Sequence, residues 1–199
     1  MRRAPLFIAL GLAIACDRRP DASHASVQPA VGSAAKHDLI GTPLPALHFD
    51  AWLATGAATA PDSAAPTLYR WWTDSCAYCE ASLPAIEALR VRFEPRGLRV
   101  VAVYHPKPPR DVAPTTIREA ADRFGYHGLI AVDRDWSELS RFYLSTGDRA
   151  ATSASFLVDR AGIIRFVHPG PEIRASDSAY ADLERAIESA LSLAPRARG

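Results

Sequence analysis

The spacing of two cysteines constrains this chain more than any other feature. Cys76 and Cys79 are separated by two residues, directly after the apolar and aromatic run 67–72 and before a helix-like stretch that ends near Phe93. A strand that ends in such a pair places both sulfurs on the first helical turn, where they can reach each other. The positive end of the helix dipole stabilises a thiolate there. The pattern therefore indicates cysteines that exchange between dithiol and disulfide.

The order of the two cysteines predicts a different task for each. Cys76 is expected at the exposed helix N-terminus, with a pKa below the ordinary thiol value of about 8.5, and is the candidate nucleophile. Cys79, one turn further in, is expected to release the partner from the mixed disulfide. An inert buried disulfide and half of a zinc site are the alternatives. Structural zinc takes four ligands, and the sequence has no second C-x-x-C pair.

The first 38 residues are interpreted as an export signal followed by a tether. Two arginines precede the apolar run 4–15, which is too short to span a bilayer, so a signal peptide is predicted over residues 1–15. The small residues before Cys16 resemble the lipobox of bacterial lipoproteins, which implies cleavage before Cys16 and its lipidation. A plain signal peptide is the alternative. Residues 16–38 have few large apolar side chains and are expected to form a flexible tether.

The remaining sequence, residues 39–195, predicts one α/β domain. Its order of strands and helices gives a central mixed sheet with helices on both faces. Lysine and arginine number 23 against 22 acidic residues, and no long basic block indicates a nucleic-acid partner. The predicted strands and helices are 67–72, 76–93, 98–104, 115–124, 129–132, 136–144, 155–158, 163–167 and 178–193.

Three details of this prediction depend on local composition. Residues 39–49 are interrupted by prolines and are expected to form an edge strand or a hairpin. Residues 51–66 are rich in alanine, threonine, glycine and proline and are expected to be a loop. Thr116 and Glu119 have the spacing of a capping box, which predicts the start of the second long helix.

With its elements in this order, the chain resembles the TlpA/ResA-like branch of the thioredoxin superfamily over about residues 39–193. The resemblance implies a thioredoxin-like fold with an N-terminal extension, and with an added strand and helix before the last hairpin. The features that carry it are Trp72 ahead of the cysteines, Cys76 and Cys79, Pro84, the strand 99–104 and the segment 155–162.

The resemblance also implies an activity and a location. Members are exported, membrane-tethered thiol–disulfide oxidoreductases of cytochrome c maturation or disulfide reduction, and they need no cofactor or metal for this chemistry. The implied partners are protein disulfides or dithiols and a membrane or periplasmic electron donor. The implied location is the bacterial periplasm, tethered to the inner membrane through lipid on Cys16. Without that lipid the protein is expected to be periplasmic and soluble, or secreted.

The sequence departs from this family at three places near the cysteines. Ser153 stands where the family usually has a cis-proline that faces the cysteines, and Ser82 stands where many members have a glutamate. The two residues between the cysteines, Ala77 and Tyr78, lack the frequent proline. Because a non-proline cis bond costs roughly 3 kcal/mol, the 152–153 peptide is expected to be trans, with a wider groove and a narrower range of partners.

Three residues close to the pair in sequence are candidate surroundings of the site. Trp72 and Tyr78 are expected to flank the sulfurs as a hydrophobic platform, with plain core packing of Trp72 as the alternative. Asp74 is expected to oppose thiolate formation if it lies close to Cys76, since like charges disfavour each other. A solvated loop carboxylate is the alternative for Asp74.

A copper-binding delivery protein is the competing function. Cys76, Cys79 and His168 together offer thiolate and imidazole ligands, which suit copper. Delivery proteins of this superfamily separate their cysteines by three residues, whereas this chain has two. A peroxidase is a weaker alternative, because Thr73 and Cys76 resemble the Thr-x-x-Cys piece of peroxiredoxins but Tyr69 replaces the proline that should precede it.

Overall fold

A six-stranded sheet forms the centre of the structure, a computed structural model that describes residues 39–54, 65–145, 149, 151–170 and 172–193. The predicted signal peptide 1–15, the tether 16–38 and Cys16 lie outside the described residues. The strands are β1 (Ala51–Leu53), β2 (Thr67–Trp72), β3 (Arg99–Tyr104), β4 (Leu129–Val132), β5 (Ser155–Val158) and β6 (Ile164–His168). Their order across the sheet is β1-β4-β3-β2-β5-β6.

Strand β2 lies in the interior of the sheet and has neighbours of both directions. It runs parallel to β3 and antiparallel to β5, so Arg70 pairs with Ala102 on one side and with Ser155 on the other. Strands β3 and β4 are also parallel, whereas β1 and β6 pair antiparallel at the two edges. Because parallel strands end at the same edge of a sheet, the loops that follow β2 and β3 lie near one another.

Helices cover both faces of this sheet, as the sequence predicted. They are α1 (Ala77–Phe93), α2 (Pro114–Arg123), α3 (Ser137–Leu139) with a π-helical continuation Ser140–Leu144, and α4 (Ser178–Ser192). Trp71 and Trp72 point to opposite faces because side chains alternate along a strand. Trp72 packs in one apolar cluster with α1, α2 and α4, and Trp71 packs in the other with Phe142. Every helix of the described residues is too short or too polar to span a membrane.

Residues 39–49, which were predicted to form an edge strand or a hairpin, contain no strand. They lie along the β6 edge of the sheet, through an isolated bridge between Pro43 and Ile163 and backbone hydrogen bonds that join Gly41 and Thr42 to Ile164. Strand β1 instead comes from the start of the predicted loop 51–66. Trp52 stabilises it by packing edge-on against Phe49, with ring centroids 5.3 Å apart. The alanine-rich composition of residues 51–66 favoured a loop, and the stabilising contact of Trp52 was therefore not predicted.

The predicted capping box is also wrong. Helix α2 begins at Pro114, and Ala113 is its N-cap residue without a side-chain cap hydrogen bond. A proline at the first helical position has a preset φ and no N–H to satisfy, so the helix starts without a hydroxyl cap. Thr116 is then the third residue of the helix. The predicted helix 136–144 is a short α-helix that becomes π-helical at Ser140.

Candidate active site

Strand β2 and helix α1 place the two cysteines one helical turn apart. Cys76 is the N-cap residue of α1 in an extended conformation, and its carbonyl accepts hydrogen bonds from the N–H groups of Cys79 at 2.9 Å and Glu80 at 3.1 Å. The Cys76 side chain is partly exposed, whereas Cys79 is fully buried. Both are free thiols in this structure. Only the first sulfur is therefore presented to a partner.

The two thiols have opposite shifts in acidity. Hydrogen bonding from the Cys79 thiol lowers the pKa of Cys76 to about 5, against the opposing effect of burial, and the backbone amides of Cys79 and Tyr78 and the Ser153 hydroxyl lower it further. The same hydrogen bond raises the pKa of Cys79, and burial raises it again. Near neutral pH these shifts make Cys76 a thiolate that accepts a hydrogen bond from the Cys79 thiol, an arrangement that is chemically able to attack a disulfide.

Ser153 is in direct contact with both sulfurs. Its hydroxyl oxygen lies 3.1 Å from Cys79 Sγ and 4.0 Å from Cys76 Sγ, and the residue is 5% exposed. Among the described residues the one cis peptide bond joins Lys107 and Pro108, so the 152–153 peptide is trans. Ser153 thus lies beside both sulfurs, with a hydroxyl where the resemblance implies a proline ring.

Gly170 holds the Ser153 segment from the side of β6. It has a φ of +82°, and a Cβ atom at this position would lie 2.5 Å from the carbonyl oxygen of Ser153. A side chain there would have to displace the backbone that carries the Ser153 hydroxyl. The glycine therefore allows the close approach of two loops that sets the distance from Ser153 to Cys79.

A groove of about 360 Å³ opens beside Cys76. Tyr78 is 41% exposed along it, and Lys107 contributes a positive charge. The segment 151–153 and small residues that carry hydroxyl or methyl groups complete the lining. The lining residues are Thr73, Ser75, Cys76, Ala77, Tyr78, Lys107, Ala151, Thr152 and Ser153.

Trp72 and Asp74 have other roles than the first expectation for each. Trp72 is fully buried against Tyr104 and Phe124, with ring centroids 5.1 and 5.9 Å away, so it packs in the core that also contains Cys79. Asp74 forms an ion pair of 3.1 Å with Arg110 and accepts a hydrogen bond from the Thr73 hydroxyl. The positive charge of Arg110 thus balances the negative charge of the Asp74 carboxylate. For Trp72 the alternative of core packing describes the structure, whereas Asp74 is an ion-paired carboxylate that is only 19% exposed and so is not solvated as its alternative had it.

Arg70 is a site residue that the sequence reasoning missed. Its guanidinium is fully buried on β2 and donates hydrogen bonds to the hydroxyls of Ser82 and Ser155, each at 3.2 Å. The Ser82 hydroxyl also donates to the Tyr78 carbonyl and accepts from the N–H of Ile173. An arginine within an apolar strand that is buried on both faces was the signal available in the sequence.

The copper ligands of the competing function are not brought together. The part of the chain that the structure describes contains no group of three His, Cys, Asp or Glu side chains that could hold a metal ion. His168 is buried at the end of β6, where its Nδ1 accepts a hydrogen bond from the N–H of Gly170 at 3.3 Å. This histidine therefore acts in the turn after β6.

Comparison with known proteins agrees with this arrangement. The model of the Redoxin family matches residues 61–183, more than half of the chain. The thiol-disulfide oxidoreductase YkuV of Bacillus subtilis is 29% identical over 105 residues, which are 53% of this chain and 67% of YkuV.

Solved structures show the same fold. A thioredoxin-like protein solved in its oxidised form has a TM-score of 0.56 and 25% identity, over 75% of this chain and 95% of that one. A thiol-disulfide isomerase from Corynebacterium glutamicum has a TM-score of 0.58 and 20% identity, over 76% and 97%. The chain belongs to the Redoxin family, and it is a thiol–disulfide oxidoreductase with a thioredoxin-like fold.

Proposed function

We propose that Cys76 is the nucleophile and Cys79 the resolving thiol of an enzyme that exchanges disulfides with protein partners. One observation carries the assignment: the partly exposed Cys76 is the N-cap residue of α1, and the buried Cys79 lies one helical turn behind it. The Cys76 thiolate attacks one sulfur of a partner disulfide and releases the other as a thiol. Cys79 then attacks Cys76 Sγ, frees the partner's remaining sulfur and leaves a Cys76–Cys79 disulfide.

The groove beside Cys76 supports a protein substrate. Its volume of about 360 Å³ and the segment 151–153 along one side fit a short peptide segment around the target cysteine. The Ser153 hydroxyl replaces an apolar ring at the point nearest both sulfurs, which favours partners with a hydrogen-bonding group there. We infer a narrower partner range than a general disulfide reductase has.

Export and tethering complete the proposal. The resemblance to the TlpA/ResA-like branch and the sequence before Cys16 support a lipid-anchored enzyme of the bacterial periplasm, where it meets an oxidising background. There a membrane or periplasmic donor returns the cysteines to the dithiol state, and cytochrome c maturation or disulfide reduction is the pathway it serves. Labelling of cells with a radioactive fatty acid tests this: the wild-type chain is labelled, and the Cys16→Ser chain is not.

A dithiothreitol-driven reduction of a protein disulfide tests the assignment of the cysteines. Cys76→Ser should abolish turnover, whereas Cys79→Ser should accumulate mixed disulfides that survive non-reducing electrophoresis. Ser192→Ala, an exposed change at the end of α4, is the control and should turn over normally. Turnover retained in both cysteine variants is the result that would contradict the assignment.

A further inference from the structure

Arg70 carries a positive charge at a fully buried position behind the active pair. It lies on β2, on the same face of the strand as Leu68 and Trp72, and these two residues pack in the cluster that contains Cys79. A guanidinium stays protonated in proteins, and its removal from water costs several kcal/mol unless nearby groups compensate. Burial accordingly lowers the pKa of Arg70.

The hydrogen bonds of Arg70 place its guanidinium beneath the first turns of α1. Nη2 donates to Ser82, which lies three residues after Cys79 on the same face of the helix. Nη1 donates to Ser155, which lies two residues after Ser153. The Ser153 hydroxyl in turn contacts Cys79 Sγ at 3.1 Å. The two serines that bind the guanidinium thus both lie close to Cys79. Ser82 is one helical turn beyond it, and Ser155 is two residues from Ser153, which contacts the Cys79 sulfur.

The electrostatic interactions of Arg70 follow the same geometry. The negative charges that raise the pKa of Arg70 are those of Cys79 first and Cys76 second. In return, the Arg70 charge lowers the pKa of Cys79, against the larger opposing effects of the Cys76 hydrogen bond and burial. The Ser153 hydroxyl and the backbone amide of Thr73 act on Cys79 in the same direction as Arg70.

We propose that Arg70 is a positioning residue whose buried charge stabilises the Cys79 thiolate during resolution of the mixed disulfide. The inference rests on the proposed roles of the two cysteines. Cys79 loses its proton, and its sulfur electron pair forms the bond to Cys76 Sγ. The bond from Cys76 Sγ to the partner breaks, and the partner leaves as a thiolate that takes up one proton. Arg70 lowers the energy of the intermediate Cys79 thiolate, and it gains or loses no proton or electron in the step.

Substitution of Arg70 in the Cys76→Ser background isolates this effect, because Cys79 then titrates without its neighbouring thiol. In Arg70→Met, a change of similar length, the Cys79 pKa, read from the ¹³Cβ chemical shift of Cys79 against pH, should rise by about one unit or more, which corresponds to about a tenfold smaller thiolate fraction at a pH below that pKa. Arg70→Lys should restore part of this fraction because it keeps the charge. Arg118→Met removes a half-buried arginine that bonds backbone carbonyls at Leu53 and Gly128, and should leave the Cys79 titration unchanged.

A second measurement leaves Arg70 intact and so does not depend on the variant folding. The ¹⁵N resonances of the Arg70 guanidinium in the Cys76→Ser protein should shift with the same apparent pKa as the ¹³Cβ resonance of Cys79. A folded Arg70→Met variant with an unchanged Cys79 pKa overturns the proposal, and so do guanidinium resonances that ignore the ionisation of Cys79. Neither measurement uses a partner protein, so a failure of protein disulfide exchange is recognised separately in the dithiothreitol-driven assay.

Discussion

The hydroxyl oxygen of Ser153 lies 3.1 Å from the sulfur of Cys79, and the two residues are 74 positions apart in the chain. The contact joins the loop before β5 to the first turn of α1. In this place the family resemblance implies an apolar proline ring, which can neither donate nor accept a hydrogen bond through its side chain. The sulfurs of this chain therefore face a polar group from the side on which a partner approaches.

Loss of that hydroxyl should make the nucleophile less acidic. The Ser153 hydroxyl lowers the pKa values of both thiols, so Ser153→Ala should raise the Cys76 pKa from about 5 by roughly half a unit to one unit, as for one hydrogen bond of ordinary strength. Thiolate absorbance against pH measures the shift. Ser192→Ala is the control, and a Cys76 pKa unchanged by Ser153→Ala would show that the contact has no energetic weight.

Alanine substitutions at two glycines with similar backbone conformations distinguish the cost of local backbone strain from the loss of support for the Ser153 segment. Gly170 and Gly162 have φ values of +82° and +77°, but a Cβ at Gly162 would meet nothing within 4 Å. Gly162→Ala should therefore cost about 1–2 kcal/mol of unfolding free energy from backbone strain alone, with normal activity. Gly170→Ala should cost more and should also slow disulfide reduction, because its Cβ displaces the Ser153 carbonyl.

Urea unfolding and initial rates of protein disulfide reduction measure these two effects. Equal losses of stability in Gly170→Ala and Gly162→Ala, with equal activities, would contradict the supporting role of Gly170.

The stability of the reduced protein should depend on pH through Cys76. The folded pKa of about 5 is below the ordinary value of 9.0, so the folded state binds fewer protons than the unfolded chain between these pH values. The stabilisation is fully present above about pH 9 and is lost as the pH falls through 5. The difference in unfolding free energy between the reduced wild type and Cys76→Ser should therefore grow from pH 5 to pH 8. A difference that stays constant across this range would exclude a depressed pKa for Cys76.

The charge in the groove should select among small disulfides. Lys107 lines the groove beside Cys76, so anionic oxidised glutathione should react faster than cationic cystamine. Lys107→Glu should reverse this preference by a few-fold, and the change should shrink at high salt because salt screens exposed charges. Arg123→Glu makes the same change of charge on an exposed residue at the end of α2, outside the groove. If both variants change the ratio equally, net charge rather than Lys107 sets the preference.

The sequence predicted the fold where local and long-range signals agreed. Strand β2, helix α1 and the paired cysteines were predicted from one continuous pattern of apolar residues, and Ser153 was placed opposite the cysteines by resemblance. Arg70 was missed because its meaning depends on Ser155, which lies 85 residues away. The support of the Ser153 segment by Gly170 was missed for a similar reason, since the local sequence of neither loop shows that the two loops approach each other closely.

Short elements at the margins were predicted least well. Strand β1 has three residues, and its formation depends on pairing with β4 and on the contact between Trp52 and Phe49. Composition alone favoured a loop there. The spacing of Thr116 and Glu119 satisfied a sequence rule for a cap, but Pro114 had already begun the helix. In both places a tertiary contact or a neighbouring residue outweighed the local propensity.

The difference in burial between the two sulfurs also bears on oxidative damage. Peroxide from solvent reaches the partly exposed Cys76 and not the fully buried Cys79. A sulfenic acid formed at Cys76 has the Cys79 thiol within reach and condenses with it to a disulfide, with loss of water, before irreversible sulfinic acid can form. Mass spectrometry after peroxide treatment should accordingly find the wild type as a disulfide and the Cys79→Ser variant over-oxidised at Cys76. In addition to its proposed role in resolution, Cys79 thereby protects Cys76 from irreversible oxidation.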